Sequence, residues 1–433
     1  MNLDPIMAKK IVTILGSSGT PPEFGVQYFT VGLERYLKAL EREYLDGVVK
    51  AGLSAFKLVV GSYGGGKTHF LYAVRDLAWK HNYLVAYLPL NPAECPFDKL
   101  ELVYKVIVVN LTYPQTSSQV AEGQERGIEA LLRKWYSDTY DSLSAQNLSD
   151  TKLFEALETY AKSLKGLEST SFTNAIKKAF LSLLKEDEES FGRILLWLKG
   201  EGFDLHTYVP LGILERIDKR AAFRMMRSFV QWIRQIGYSG VIFLFDEAER
   251  ASSLASSRER RQALDNLRQI VDETSNVRIP GAMFFYAIPD DRQLLEGKED
   301  IYEALRQRLK GVFSTPNPSG VKINLEELGI EPMVFLRELG AKLAGIFELA
   351  HGSKISPGLL RKCIEVMAEK AYEERYADIS YRRLFVKAFI EGLYRLKEDP
   401  NTPISADEAV KILRTGLVTL EQAAIEDIEE SEF

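Results

Sequence analysis

The sequence has little of the chemistry on which disulfide-stabilised and metal-dependent folds are built. It contains 2 cysteines and 4 histidines in 433 residues, and Cys95 and Cys363 lie far apart along the chain. A disulfide framework and a cysteine-based zinc site are therefore excluded as organising features. The four scattered histidines argue against a metal enzyme as well.

Long apolar runs are also missing. The strongest apolar run, residues 241–245, is far shorter than the ~20 residues that a membrane-spanning helix requires. The amino terminus lacks the basic and then apolar layout of a signal peptide. We therefore expect a cytoplasmic protein with no membrane anchor.

Neither sign of charge dominates the chain. There are 55 basic and 61 acidic residues, which gives a net charge of −6 at pH 7. Such a chain has no global attraction to nucleic acid, so any contact with DNA needs a local basic face. The hydrophobic content of 46% and charged content of 27% are those of an ordinary globular protein.

The first part of the chain predicts a parallel sheet. Residues 1–30 carry little periodicity and predict an irregular arm, and apolar positions at three- and four-residue steps predict a helix over 32–49. A β-branched run at 56–60 is followed by a glycine loop, a helical stretch at 68–80 and an apolar run at 83–88. This order predicts a βαβ unit.

The rest of the chain alternates long helical stretches with a few strands. Residues 116–206 show helical patterns and no convincing strand, which indicates an all-helical insertion. Further strands are predicted at 241–245, 282–288 and 321–325, and the chain is helical again after Pro332.

A phosphate-binding motif follows the first strand. The segment Gly61-Ser62-Tyr63-Gly64-Gly65-Gly66-Lys67-Thr68 fits G-x-x-x-x-G-K-[ST] and opens the helical stretch at 68–80, which is the context this motif needs. These eight residues and His69 are the predicted nucleotide-binding residues. Its backbone N–H groups can surround phosphate oxygens, and the helix N-terminus adds a positive dipole end. Lys67 would reach the β- and γ-phosphates of ATP, and the Thr68 hydroxyl would hold Mg²⁺.

A second anchor for the metal stands at the end of the strand 241–245. Asp246 would hold Mg²⁺ through water, and Glu247 could act as general base on the attacking water. The segment that contains both acids, Asp246-Glu-Ala-Glu249, also resembles the DEAx box of helicases. The region after Pro332 has no second P-loop-like βα core, however, so a two-core helicase motor is not expected.

The order of elements resembles an AAA+ ATPase. A strand after the acid, a further strand and then a helical bundle is the order expected of an AAA+ core with its lid. Val31-Gly-Leu-Glu-Arg35 resembles the G-R-E-x box of initiator-type members, which packs near adenine, although Leu33 stands where arginine is usual. An ordinary helix start would look similar.

A closer resemblance is to the BrxC/BrxD-type ATP-binding proteins of BREX phage-defence systems. The stretches that carry it cover most of residues 25–397, and the Gly-Tyr-x-Gly lead into the acidic strand is more restrictive than the P-loop. They are the arm and first helix, the P-loop through Leu71, the helical insertion, residues 236–249, residues 263–270, and Ser380-Tyr-Arg-Arg-Leu-Phe-Val-Lys387.

These resemblances predict an α/β fold, a P-loop AAA+ parallel-sheet core with a large helical insertion and a C-terminal helical lid. The predicted parts are an arm at 1–30, the ATPase core at 31–115 and 207–330, the insertion at 116–206, the lid at 331–398 and a tail at 399–433.

Arginines could complete the site, because a transferring phosphoryl group needs further positive charge. Arg306 and Arg308 lie between the last two predicted strands, where AAA+ proteins often carry an arginine finger, and the family resemblance favours Arg308. Arg382, or less well Arg383, resembles a sensor-2 arginine at the start of a lid helix. A solvated helix face is the alternative for each of them.

One AAA+ feature is missing. The strand 282–288 leads into Pro289 without the Asn or Thr that these proteins often place there as sensor 1. Sensor 1 positions the attacking water, so this departure bears on the rate of hydrolysis and not on nucleotide binding.

A local basic face follows the acidic strand. Arg258, Arg261 and Arg268 share one side of a predicted helix, with Arg260 beside them. Such a stripe could follow phosphates in a sequence-independent way, or it could be a solvated face paired with Glu259 and Asp265. No zinc finger, helix-turn-helix or RRM signature is present.

The sequence therefore predicts an Mg²⁺-dependent ATP hydrolase that switches or drives a partner, as a homo-oligomer. By resemblance its setting is phage defence, with DNA, a helicase or another defence protein as the client. Two alternatives stay open: a STAND-like nucleotide-gated switch with slow turnover, and a helicase loader.

Overall fold

The computed structural model describes residues 3–123, 125–251, 256–291, 300–314, 316–373 and 381–432. Residues 292–299 and 374–380, which fall within the predicted core and lid, lie outside the described residues. Among the described residues, no helix combines the length and the apolar character needed to cross a membrane.

The sheet has six strands in the order β3-β2-β4-β5-β1-β6. The strands are β1 Ala55–Val60, β2 Tyr83–Pro89, β3 Leu111–Thr112, β4 Gly240–Asp246, β5 Ala282–Ile288 and β6 Lys322–Asn324. The β3 strand pairs antiparallel to β2, and the other described pairings are parallel. Every residue of β1, β4 and β5 is buried, as expected of parallel strands covered on both faces.

The helices surround this sheet. Those before β4 are α1 Pro5–Ser18, α2 Glu34–Leu40 with its π-helical continuation Glu41–Val48, α3 Lys67–Lys80, α4 Leu100–Asn110, α5 Ser117–Gly123, α6 Gly127–Ser144, α7 Asp150–Ser163, α8 Thr170–Leu184, α9 Glu188–Leu198, α10 Leu205–Tyr208 and α11 Ala222–Gln235. Those after β4 are α12 Ser257–Ser275, α13 Asp300–Leu309, α14 Pro332–His351, α15 Pro357–Glu373, α16 Tyr381–Glu398 and α17 Ala406–Glu432. The predicted α/β fold, with a mostly parallel sheet and many helices, is confirmed.

The first thirty residues are not an irregular arm, and that prediction is wrong. Helix α1 begins after Asp4, whose carboxylate accepts the backbone N–H groups of Ile6 and Met7 at 2.9 Å each. It ends at Gly19, which has φ +64°. Its apolar positions repeat with helical spacing and are buried, and the prediction gave too much weight to the Gly, Ser and Pro residues that follow.

Helix α1 packs against the helical bundle rather than against the sheet. One hydrophobic cluster joins its buried face to α14, α15, α16 and α17. The predicted tail at 399–433 contains α17, Ala406–Glu432, which buries Ala409 and Leu413 in the same cluster. Helices α1 and α17 therefore pack with the predicted lid, residues 331–398, in one helical bundle, which we call the lid from here on.

The helical insertion shares a core with the sheet. Among the described residues, 116–206 contains no strand. Its aromatic side chains meet a core helix, since the Trp135 ring lies 4.7 Å from Phe180 and 5.5 Å from Trp232 of α11, centroid to centroid. These contacts continue the hydrophobic cluster of one sheet face into the insertion.

A buried lysine lies in the strand that carries the glycine loop. The Lys57 ammonium donates to the Tyr44 hydroxyl at 2.6 Å and to the Pro318 carbonyl at 3.0 Å, and it also donates to the Gly320 carbonyl. The rings of Tyr44 and Phe313 flank it at 4.2 and 4.9 Å. Burial lowers the pKa of Lys57 from 10.5 to about 7.

Candidate functional site

The glycine loop connects β1 to α3 at the carboxyl edge of the sheet. Gly64 and Gly66 have φ values of +72° and +98°, which glycine adopts without steric cost. A Cβ atom at Gly65 would lie 2.9 Å from the Ser62 carbonyl oxygen. The loop thus needs its glycines, and its N–H groups lead directly into the N-terminus of α3.

Lys67 is buried behind the loop. Its ammonium donates to the carbonyl oxygen of Gly61 at 3.0 Å, and it lies 3.4 Å from that of Ser62. Only 8% of the residue is exposed. The one cation of the motif is therefore held against the inner side of the loop by backbone carbonyls.

The acid at the end of β4 meets the threonine of the loop. The Thr68 hydroxyl donates to Asp246 Oδ2 at 2.6 Å, although the two residues are 178 positions apart. The Glu247 N–H donates to Asp246 Oδ1 at 2.9 Å, and Asp246 is 1% exposed. The structure thus brings together the two residues that the sequence assigns to the metal.

ATP and Mg²⁺ fit the residues present. The glycines let the loop fold tightly, since a Cβ at Gly65 would clash with Ser62 and Glu326, and such glycine loops present backbone N–H groups to phosphate. Thr68 and Asp246 offer a hydroxyl and a carboxylate, the oxygen donors that Mg²⁺ prefers. The loop thus fits phosphates, and Thr68 and Asp246 fit a metal.

Glu247 has a left-handed backbone. Its φ is +53°, a region that residues other than glycine adopt at a cost of order 1–3 kcal/mol. This turn directs its N–H toward Asp246, and its side chain is half-buried. The acid that the sequence assigns as general base therefore directly follows Asp246, in a left-handed backbone conformation.

The two candidate lid arginines have different neighbours. Arg382 donates to the Gly65 carbonyl at 2.8 Å and to the Leu325 carbonyl at 3.1 Å. Arg383 donates to the Ser18 carbonyl at 3.2 Å, and its guanidinium lies 5.3 Å from the Tyr63 ring centroid. Of the two, Arg382 touches the backbone of the phosphate loop.

His69 faces the N-terminal segment. Its Nε2 lies 2.8 Å from the Thr30 hydroxyl, and its ring lies 5.0 Å from the ring of Phe29. The Thr30 hydroxyl donates its proton to the Val26 carbonyl, so His69 Nε2 must be the donor between them. Burial and the Lys342 ammonium lower the pKa of His69 to about 4, which keeps the ring neutral.

Arg308 lies on α13 and makes an ion pair within the chain. Its Nε is 2.6 Å from Asp272 Oδ1 on α12, and about a third of each side chain is exposed. Arg306 lies two residues earlier on the same helix. The contribution of Arg308 to a neighbouring subunit stays a prediction.

Two site residues were missed by sequence reasoning. Glu326 accepts hydrogen bonds from the Ser62 N–H and hydroxyl, and Tyr87 donates to Asp246 Oδ2 at 2.8 Å. Glu326 follows β6 closely, and Tyr87 lies near the end of β2. Their position at strand ends was a usable signal, because the carboxyl ends of parallel strands meet at one edge of a sheet.

A protein-family model described as "BREX system ATP-binding protein BrxC/D" matches residues 5–410. The chain belongs to this family. The BrxC/D family is defined by ATP binding in BREX phage defence, and the match covers the loop, the acid strand, the insertion and the lid. No curated protein and no solved structure matches the chain.

Proposed function

We propose that this BrxC/D-family protein is an Mg²⁺-dependent ATP hydrolase of the AAA+ type that switches or drives a DNA-associated partner. The observation that carries the proposal is the Thr68–Asp246 hydrogen bond, with Glu247 directly after the acid. It joins the phosphate loop to a carboxylate and to a base at one edge of the sheet. Nucleotide binding alone would not need Glu247, the second acid.

Each residue of the site has a separate role in this proposal. The N–H groups of the loop and Lys67 bind the phosphates, and Thr68 and Asp246 hold the metal. Mg²⁺, when bound, neutralises charge on the phosphates. Glu247 takes a proton from the attacking water.

The lid takes part through Arg382. Its guanidinium bridges the Gly65 carbonyl in the loop and the Leu325 carbonyl after β6. Because Arg382 belongs to α16, a movement of the loop on nucleotide binding would be transmitted directly to the lid. This link supports the use of the ATP cycle to move a partner.

The experiment compares Lys67→Ala, Glu247→Gln and Lys80→Ala in ATP binding and turnover. We expect Lys67→Ala to lose ATP binding, and Glu247→Gln to bind ATP and turn over at least ~10²-fold more slowly. Lys80 lies exposed at the end of the same helix as Lys67 and serves as the control. Normal turnover by Glu247→Gln would show that another group activates the water.

A nucleotide-gated switch with slow turnover is the second candidate. It is favoured by the end of β5, where Ile288 and Pro289 stand in place of a polar sensor residue. Rapid turnover that DNA stimulates would support the motor, and slow turnover with a nucleotide-dependent change of partner affinity would support the switch. Stimulation that depends on a helicase would single out a loader.

A further inference from the structure

Tyr87 contacts the metal carboxylate from a neighbouring strand. Strands β2 and β4 are parallel, with Tyr87 opposite Leu244 and Pro89 opposite Asp246. The Tyr87 hydroxyl therefore reaches Asp246 diagonally across two positions, and it donates to Oδ2 at 2.8 Å. Neither the phosphate loop nor the acid motif contains this residue.

The hydrogen bonds of Asp246 are distributed unequally. Oδ2 accepts from both Thr68 and Tyr87, whereas Oδ1 accepts only the Glu247 N–H among these bonds. An ionised carboxylate offers about two acceptor positions on each oxygen. The two donors on Oδ2 thus fix the rotation of the carboxylate and leave acceptor capacity on Oδ1.

Tyr87 is itself held in place. Its ring centroid lies 5.1 Å from that of Tyr72 on α3. The Arg75 guanidinium lies 5.0 Å from the Tyr72 ring centroid and donates to the Glu23 carbonyl. A tyrosine that is packed in this way has a defined rotamer, so its hydroxyl is directed before any ligand binds.

We propose that Tyr87 is a positioning residue for the metal site: its hydroxyl holds the Asp246 carboxylate in one rotation beside Thr68, the orientation in which the two residues would hold Mg²⁺. This inference rests on the proposed function, because it assigns Asp246 to Mg²⁺. Residues that hydrogen-bond metal-site carboxylates typically contribute 10–100-fold to metal affinity. Loss of the Tyr87 hydroxyl should therefore lower the affinity for Mg²⁺ and leave the binding of the phosphates unchanged.

The test measures the affinity of a fluorescent ATP analogue twice, in EDTA and in Mg²⁺. The Mg²⁺ gain is the factor by which Mg²⁺ raises this affinity. We expect the Mg²⁺ gain of Tyr87→Phe to be about tenfold or more smaller than that of wild type, while its affinity in EDTA stays within about twofold of wild type. The matched control is Tyr83→Phe, on the same strand, which removes a 2.6 Å hydrogen bond to the Leu45 carbonyl. It should leave the Mg²⁺ gain unchanged.

The outcomes separate the two proposals. A wild-type protein without any Mg²⁺ gain would overturn both the proposed function and the role of Tyr87. A wild-type gain that Tyr87→Phe retains would overturn the role of Tyr87 alone, as would equal losses in EDTA and in Mg²⁺. Should Tyr87→Phe fail to fold, Tyr72→Leu removes the ring that packs against Tyr87, and a preserved Mg²⁺ gain in that variant would count against the inference.

Discussion

The Glu326 carboxylate accepts two hydrogen bonds from Ser62, one from its backbone N–H at 3.0 Å and one from its hydroxyl at 2.7 Å. An acid thus lies against the loop that binds phosphate, and its Oε1 would be 2.7 Å from a Cβ at Gly65. Arg382 lies 3.8 Å from its other oxygen. A negative charge from outside the loop therefore lies against it, at the point where a triphosphate would add more.

Glu326 should weaken ATP binding. We predict that Glu326→Gln binds ATP about three- to tenfold more tightly, because the amide removes repulsion between like charges. The site is partly open to solvent, so the gain should shrink as salt is raised. Glu327→Gln, at the next and also exposed position, is the control. Weaker ATP binding by Glu326→Gln would mean that the carboxylate helps to hold the nucleotide.

Arg308 should act between subunits. If it completes a neighbour's site, Arg308→Ala should lose activity, and mixing it with Lys67→Ala should restore part of it at hybrid interfaces. Asp272→Asn removes the same ion pair but keeps the arginine, so it should remain active. A protein that stays monomeric with ATP and DNA at micromolar concentration, and still turns over fully, would contradict this prediction.

The basic face of α12 can be tested through its salt dependence. Arg258 and Arg261 are exposed, whereas Arg268 is 3.7 Å from Asp272, and Asp265 lies on the same side of the helix. The acids reduce the positive charge of this stripe. If it binds DNA, log affinity should fall with log salt by about 0.9 for each phosphate contact.

Reversal of Arg258, Arg261 and Arg268 to glutamate should then abolish binding to all DNA sequences alike, with nucleotide affinity intact. Filter binding over a salt series measures both properties. Unchanged DNA affinity in the triple variant would identify the stripe as a solvated helix face.

Lys57 should make stability depend on pH. Its pKa is 10.5 in an ordinary environment and about 7 when folded, so between these values the unfolded chain binds more protons than the folded one. Stability therefore rises with pH through this window. From pH 7.5 to 9.5, wild type should gain about 2–3 kcal/mol in free energy of unfolding relative to Lys57→Met. Denaturant unfolding at several pH values measures the free energy of unfolding, with Lys80→Met as control. If the free energies of wild type and Lys57→Met change with pH in parallel, the prediction is wrong.

The strands and the phosphate loop could be predicted because their signals are local. Apolar runs identified β1, β4 and β5, and the loop motif stands within eight residues, Gly61 to Thr68. Tyr87 and Glu326 could not be assigned in this way. Each acts on a residue of another strand or loop, and only the sheet order brings them together.

Helix α1 shows a different kind of failure. Its stability comes from packing against α14 and α16, which are more than three hundred residues away in the sequence. A short amphipathic segment gives a weak local signal, since most helical stability in proteins comes from tertiary contacts. The same holds for α17, whose buried positions make sense only beside α15 and α16.

The participation of α1 in the lid has a mechanical consequence. The backbone crosses between lid and core twice, between α1 and α2 and again between β6 and α14. The two crossings run side by side, because a Cβ at Gly32 would lie 3.2 Å from the Ile330 side chain. Because the two connections are adjacent, a rotation of the helical bundle relative to the sheet about this point would strain neither of them.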